Sequence, residues 1–363
     1  MAHGVEYAKY DHGARAGANA FSAQMAGLAQ LWFYDPDGNG VELAQAPGAG
    51  DEAVLADAVE APAPAGARTC ATLAVAGGNS SYCTGTQGPA ARPVALAWAA
   101  SLPELARSFT DVYESSFALR LDDAAFDPAP ARAAAEAAGV RLSAVLVPDP
   151  GLADDALPVP AAAVARYRCI IERAAALGAR WLVDFGADRP EQADAYVELM
   201  RRVAPHAEAR GVGIAMKPHG GLCTTLAEMV AIHERVGHPA FGLCLDPGNI
   251  LYYSRGRSSP TAGLAAEAWR VSVLIAKDFV FADSRESGEW SWQKNVLLVP
   301  GQGLVDFEAI ARCLGAAGFD GPVLLEKAPG NTTGEITTNF ARGRAFVDTL
   351  AELMAGSVER SRL

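Results

Sequence analysis

One unit recurs through the second two-thirds of the chain: an amphipathic helical pattern, a glycine, and a short apolar run. AAEAAGVRLSAVLV and HAEARGVGIAMK are two of its five copies. A glycine just past a helix readily adopts the left-handed conformation that closes the last turn, and the apolar run has the length of a buried strand. The glycines concerned are Gly139, Gly178, Gly211, Gly237 and Gly318.

Three further apolar runs bring the number of predicted strands to eight, alternating with helices such as the one predicted over 191–209. Continuous apolar strands between amphipathic helices are typical of a parallel sheet covered by those helices. Eight is the number that closes a TIM barrel, so we predict an α/β fold, a (β/α)8 barrel over residues 67–356. An open doubly wound sheet is the alternative. The predicted strands are 71–76, 117–121, 141–147, 180–185, 212–217, 241–246, 271–277 and 322–327.

The N-terminal part differs in composition. Residues 49–66 consist mainly of Ala, Pro, Gly and acidic residues, which bury too little apolar surface to offset their ordering entropy, and we interpret them as a linker. In the segment 1–48, the stretch LAQLWFYDPDGNGVEL (28–43) has turn-forming residues between two apolar runs and predicts a β-hairpin. The barrel is therefore expected to follow a short, hairpin-containing segment.

Charge and cysteine content limit the partners and the compartment. The formal net charge of −12 disfavours nucleic acid and anionic membrane surfaces as partners. Six scattered cysteines without a CxxC pair indicate free thiols in a reducing compartment. MAHGVEYAKYDHG has no signal-peptide pattern, and no run of about twenty apolar residues occurs. We expect a cytoplasmic protein, with a homo-oligomer as one option.

Polar residues end the predicted strands from the fourth onwards. In a parallel barrel, the residues that end the strands face the mouth where active sites lie. A single polar strand end is explained by solvation, but polar ends on consecutive strands indicate a functional site. We expect the side chains of Lys217, Asp246, Lys277 and Glu326 to converge there. The polar residues at these strand ends are Asp184, Lys217, His219, Asp246, Lys277, Asp278 and Glu326.

Five motifs carry a family resemblance. Their order and spacing resemble the second half of a sugar phosphate isomerase/epimerase barrel, of the xylose isomerase-like superfamily, and the similarity covers about residues 160–330. The resemblance implies a small carbohydrate or polyol as substrate. It also implies one divalent metal (Mn, Mg or Zn), bound by Glu, Asp, His and Glu from strands five to eight. The motifs are KPHGG (217–221), LDPGN (245–249), KDF (277–279), PGQGLVDF (300–307) and GPVLLEK (321–327).

The metal ligands of the family are only partly present. Asp246 matches the Asp and Glu326 the last Glu, whereas Lys217 stands in place of the first Glu, and Ile275-Ala276-Lys277 occupies the region of the strand-seven His. Two interpretations follow. Either His219 binds a metal together with Asp246 and Glu326, or a lysine ammonium takes the place of the cation and the site is metal-free.

The resemblance implies an enzyme that moves a proton next to a carbonyl, as an isomerase or epimerase does. Such a reaction needs a base and a group that holds the enediolate. Glu326 is the candidate base, and Lys217 and Lys277 are the other candidate catalytic residues. His219, Asn249 and Asp278 are the candidate substrate-binding residues. The alternatives are a lyase on the same scaffold, such as a dehydratase of 3-dehydroshikimate, and a non-catalytic sugar-binding barrel.

The N-terminal hairpin carries a second resemblance. It resembles the end of a vicinal oxygen chelate (glyoxalase/dioxygenase) module, in which the Glu after the turn, here Glu42, often binds a metal. A complete site of that family needs two such modules, and residues 1–48 are too few to form them. We interpret the segment as a remnant or a small docking element.

Overall fold

The computed structural model describes residues 75–78, 98–152, 157–281, 295–330 and 332–361. The predicted N-terminal hairpin, the predicted linker and residues 71–74 lie outside these ranges, so these three predictions stay predictions.

Eight parallel strands close into a barrel, as predicted. Ten strands lie within the described ranges, eight of them in the barrel: β1 (Val75–Gly78), β2 (Asp111–Ser115), β3 (Arg141–Val147), β4 (Trp181–Asp184), β5 (Gly213–Met216), β6 (Phe241–Leu245), β7 (Val271–Ala276), β8 (Asp278–Phe281), β9 (Asn295–Leu298) and β10 (Val323–Leu325). Around the barrel the order is β1, β2, β3, β4, β5, β6, β7, β10, with β10 paired to β1. Strands β8 and β9 pair antiparallel and form a separate hairpin after β7.

Helices connect the strands and begin and end where the sequence indicates. Thr225 accepts a hydrogen bond from the backbone N–H of Glu228 at the start of the fifth helix, and Gly237 ends that helix with a φ of 62°. Gly139 ends the second helix in the same way, with a φ of 70°. The helices are α1 (Trp98–Leu105), α2 (Pro128–Ala138), α3 (Ala161–Ala176), α4 (Ala193–Ala209), α5 (Leu226–Val236), α6 (Pro247–Tyr253), α7 (Leu264–Glu267), α8 (Phe307–Ala316) and α9 (Thr333–Ser361).

The prediction of the second strand is wrong. The strand is β2, Asp111–Ser115, and the predicted segment 117–121 forms turns. Its leucines are buried, but they pack as part of these turns. The strand itself reads DVYES, and its polar residues find partners inside the protein: Asp111 accepts hydrogen bonds from Arg141, and Glu114 accepts one from the N–H of Ser115. Apolar content alone therefore pointed to the wrong segment.

The core has two layers, as expected for strands between a barrel interior and surrounding helices. Strand residues that point outward pack under the helices, and those that point inward fill the barrel with smaller side chains and one tyrosine. The inner layer consists of Tyr113, Ala144, Leu146, Val183, Ala215, Cys244, Val273, Ile275 and Leu324. No helix within the described ranges is long and apolar enough to cross a membrane.

The inner-layer tyrosine joins the seam of the barrel. The Tyr113 hydroxyl lies 2.7 Å from the carbonyl oxygen of Glu326 and 3.1 Å from that of Leu325. Because β1 lies between β2 and β10, this side chain reaches past one strand to hold the end of another.

Replacing Tyr113 by Phe should lower the free energy of unfolding by about 1–2 kcal/mol, because a buried carbonyl loses its donor. Urea denaturation measures the change. Ser143→Ala is the matched control: its half-buried hydroxyl makes a longer hydrogen bond of 3.3 Å to the Val112 carbonyl and should contribute less. An equal or smaller loss for Tyr113→Phe would contradict the role given to the seam bond.

Candidate active site

Four strands carry acidic and basic side chains to the carboxyl-terminal mouth of the barrel. Lys217 directly follows β5, Asp246 follows β6, Lys277 follows β7 and Glu326 follows β10. We call these four residues the charge quartet. The structure brings all four side chains into contact, although each comes from a different strand.

The charge quartet is a ring of alternating charges. The Nζ atom of Lys217 lies 2.7 Å from Oε2 of Glu326 and 3.2 Å from Oδ2 of Asp246. The Nζ atom of Lys277 lies 3.0 Å and 3.1 Å from the same two oxygens. Each ammonium group therefore contacts both carboxylates, and the four formal charges sum to zero.

Burial makes these contacts energetically decisive. Lys217 and Asp246 are 0% exposed, Lys277 is 4% exposed and Glu326 is 6% exposed. Burial would lower the pKa of Lys277, but Asp246 and Glu326 outweigh it, and the pKa is raised. Burial would likewise raise the pKa of Glu326, but Lys217 and Lys277 hold it well below its ordinary value. An isolated charge in this place would cost several kcal/mol of desolvation, so the charges are tolerated as a set.

Asn249 links the quartet to the neighbouring loops. Its Oδ1 atom accepts a hydrogen bond of 2.6 Å from the Lys277 ammonium, and its Nδ2 atom donates one of 2.8 Å to the Pro218 carbonyl. Its backbone N–H donates to Oδ1 of Asp246 at 2.9 Å, which places Asp246 at the start of α6. The predicted substrate-binding residue Asn249 thus orients Lys277 and Asp246.

Three aromatic rings lie beside the charge quartet, those of Phe185, Tyr253 and Phe279, and we call them the aromatic border. The Nζ atom of Lys217 lies 4.6 Å from the centre of the Phe185 ring, and that of Lys277 lies 5.8 Å from the Phe279 ring. A ring face attracts a nearby cation and excludes water. The rings therefore reinforce the charge contacts inside the quartet.

His219 lies at the half-buried edge of this aromatic border. Its ring stacks on Phe185 with centroids 4.2 Å apart and lies 5.2 Å from the Tyr253 ring. Burial, followed by the positive charges of Lys217 and Lys277, holds the pKa of His219 well below its ordinary value. The imidazole is therefore uncharged at neutral pH.

The side chains of the site do not fit the divalent metal that the resemblance implies. Within the described part of the chain, no three His, Cys, Asp or Glu side chains are placed to hold a metal ion. The ammonium nitrogens of Lys217 and Lys277 lie against the carboxylate oxygens of Asp246 and Glu326 instead. A divalent cation among these oxygens would meet two positive charges at close range.

Two other carboxylates at strand ends accept hydrogen bonds from groups of the protein itself. Asp278 accepts hydrogen bonds from the backbone N–H groups of four residues and so attaches the loop of the PGQG motif to the barrel; the donors are Phe279, Gly301, Gly303 and Val305. Asp184 accepts hydrogen bonds of 2.6 Å from the hydroxyls of Tyr167 and Tyr196. Asp278 is predicted to bind substrate, but its carboxylate oxygens accept hydrogen bonds from the protein backbone.

Sequence analysis quoted Phe279 in the KDF motif but did not single out Phe185 or Tyr253. Phe185 directly follows Asp184 at the end of β4, and its position at a strand end would have flagged it. Tyr253 is the last residue of α6, beyond the reach of the strand-end argument, and no local pattern distinguishes it.

Removing one carboxylate from the charge quartet should lower the free energy of unfolding more than removing a carboxylate and an ammonium group together. Glu326→Gln leaves two buried ammonium groups facing Asp246, and we expect a loss of about 3–5 kcal/mol in the free energy of unfolding at pH 7. The double variant Glu326→Gln/Lys217→Met restores the balance of charge and should lose less than Glu326→Gln alone. A double variant that loses as much as the two single changes summed would refute the coupling.

Proton NMR titration should find that His219 takes up a proton at a lower pH than an ordinary histidine, because burial and the two nearby ammonium groups lower its pKa. Lys277→Met removes one of the positive charges and should raise the pKa of the imidazole. Arg312→Met, a change on the exposed face of α8, is the control and should leave the titration unchanged. An ordinary titration of His219 in the unaltered protein would contradict its placement beside the ammonium groups.

Comparison with curated proteins finds one relative of known activity. The 3-oxo-isoapionate decarboxylase of Pectobacterium atrosepticum is 29% identical over 131 residues, which are 36% of this chain and 44% of the relative. The match thus spans less than half the length of that enzyme.

Solved structures of similar fold cover most of the chain. A xylose isomerase-like TIM barrel protein from Mycobacterium smegmatis, solved in complex with magnesium, has a TM-score of 0.60 and 19% identity, and the match covers 79% of this chain and 98% of the other. D-psicose 3-epimerase from Clostridium cellulolyticum H10 has a TM-score of 0.53 and 18% identity, covering 80% and 98%. At these identities the similarity shows the fold.

The sequence profile of one family matches well over half of the chain, from residue 106 to residue 349. This range contains seven of the eight barrel strands and the whole charge quartet. The chain therefore belongs to the xylose isomerase-like TIM barrel family.

Proposed function

We propose that this protein is an enzyme that decarboxylates a small, polyhydroxylated 3-oxo acid and holds the resulting enolate at Lys277. The observation that carries the proposal is the charge quartet, in which an ammonium group of low exposure is held beside an aromatic border at the barrel mouth. Such a group is a ready electrophile for an oxyanion in a site of low dielectric constant.

Lys277 is the ammonium group that a substrate oxygen can reach. It keeps a small exposed fraction of 4%, whereas Lys217 is completely buried. Its three N–H donors face Asn249 at 2.6 Å, Glu326 at 3.0 Å and Asp246 at 3.1 Å. A substrate oxyanion would take the place of one of these three acceptors.

The lowered pKa of Glu326 favours a reaction whose first step needs no base. Removal of a proton from carbon needs a base whose pKa lies near the working pH. Glu326 is a weak base, because Lys217 and Lys277 hold its pKa well below the ordinary value. This argues against the role of catalytic base that the resemblance implied for it.

Decarboxylation needs an electron sink. The bond between the α-carbon and the carboxylate carbon breaks, its electron pair moves to the 3-oxo oxygen, and carbon dioxide leaves. The enolate oxygen is held by the Lys277 ammonium, and the α-carbon then takes a proton from a solvent water molecule, which leaves hydroxide to the solvent. The partial similarity to 3-oxo-isoapionate decarboxylase supports this reaction class for the chain.

Isomerisation or epimerisation of a sugar is the second candidate, as the resemblance implied. The observation that favours it is the position of the His219 imidazole, which is uncharged and stacked on Phe185 at the rim of the site, although its lowered pKa makes it, like Glu326, a weak base. In that reaction His219 takes the proton from carbon, and Lys277 holds the same kind of enediolate. The similarity in fold to D-psicose 3-epimerase is compatible with it.

One assay separates the two reactions. Purified protein is incubated in D₂O with hydroxylated 3-oxo acids of four to six carbons and, separately, with ketopentoses and ketohexoses. Carbon-13 NMR follows released bicarbonate, and proton NMR follows exchange at carbon. We expect bicarbonate from an oxo acid. Exchange of sugar protons without loss of carbon would favour the second candidate. The absence of both signals would refute both reactions.

Lys277→Met should lower kcat by about a hundred-fold or more, because the oxyanion loses its charged donor. Arg312→Met replaces an exposed cation on α8 and is the matched control, with an unchanged rate expected. A Lys277→Met variant that is folded and fully active would remove Lys277 from the mechanism, whichever reaction is catalysed.

A further inference from the structure

We infer that Lys217 is a built-in cation that replaces a divalent metal in this barrel. The inference builds on the proposed function, because it assigns the charge that holds the catalytic groups together. It is tested by metal binding and does not require that the reaction be known.

The first argument is the position of the Lys217 ammonium. It is fully buried, lies under the Phe185 ring, and contacts the two carboxylate oxygens that also contact Lys277. A group so enclosed does not meet a substrate. Its contacts are those of a counter-ion that holds Asp246 and Glu326 at a fixed separation.

The second argument is charge balance. With Lys217 present, two ammonium groups oppose two carboxylates and the charge quartet is neutral. If the ammonium at position 217 becomes a carboxylate, one ammonium faces three carboxylates and the cluster has a net charge of −2. A divalent cation would restore neutrality, and a buried cluster with two uncompensated charges is costly.

The third argument is space and donor chemistry. A glutamate side chain is one bond shorter than a lysine side chain, so its oxygen would end farther from Glu326 than the present 2.7 Å. Carboxylate oxygens surround Mg²⁺ or Mn²⁺ at about 2.0–2.2 Å, so the gap suits such an ion. The single change Lys217→Glu therefore creates a set of three carboxylates, with His219 at its edge.

The experiment compares the unaltered protein with Lys217→Glu and Lys217→Gln by calorimetric titration with Mn²⁺, using electron paramagnetic resonance to count the free ion. Glutamine has the length of glutamate without its charge, so it is the matched control. We expect no Mn²⁺ binding tighter than about 1 mM in the unaltered protein or in Lys217→Gln. We expect one ion per chain in Lys217→Glu, bound at least about ten-fold more tightly, since one ligand typically contributes that much.

Three results would overturn the inference. The first is stoichiometric Mn²⁺ binding by the unaltered protein, which would mean that Lys217 does not exclude the metal. The second is equal binding by Lys217→Gln and Lys217→Glu. The third is a Lys217→Glu chain that binds no Mn²⁺, or that neither folds nor is restored by Mn²⁺ during thermal melting, because the metal should stabilise the folded state.

The outcome is independent of the decarboxylation assay. If Lys217→Glu gains a metal while the unaltered protein acts on none of the oxo acids or sugars, the proposed function fails and the inference about Lys217 holds. If the unaltered protein is active and also binds Mn²⁺ stoichiometrically, the inference fails and the reaction class stands.

Discussion

The contact between the Lys217 ammonium and the Glu326 carboxylate is the constraint on which the mouth of this barrel depends. It joins β5 to β10, and β6 and β7 lie between them in the sheet. Neither charge is tolerated alone, because both groups are withdrawn from water. The same two oxygens and nitrogens also position two further charges, Asp246 and Lys277, and the four close a ring in which Lys277 and Glu326 keep a small exposed fraction.

Polar contacts outside the ring keep it rigid. Asn249 holds Lys277 and the backbone after β5, and Tyr113 holds the backbone of Glu326 from the opposite side of the seam. Asp278 accepts hydrogen bonds from backbone N–H groups of the loop that contains Gly301 and Gly303. The two consecutive residues after β7 therefore have different partners: Lys277 contacts the charge quartet, and Asp278 contacts the loop.

Sequence reasoning predicted the barrel and the convergence of its strand ends, because both follow from a repeating pattern and a general property of parallel strands. It placed the second strand wrongly, because the polar residues of β2 are compensated by contacts such as that of Asp111 with Arg141, which no local pattern reveals. Its assignment of the base to Glu326 stays a prediction, against which we propose a different role. Whether a carboxylate serves as a base depends on its pKa, and here that is set by two lysines distant in the sequence.

Lys217 and Glu326 are 109 residues apart in the chain, and this separation has a consequence for how the protein folds. A nascent chain that has completed β5, β6 and β7 holds two lysines and only one acid of the ring. The missing acid arrives with the last strand, which is also the strand that seals the cylinder against β1. Completion of the charge quartet and closure of the barrel thus depend on the same strand, and a chain that ends before β10 lacks both.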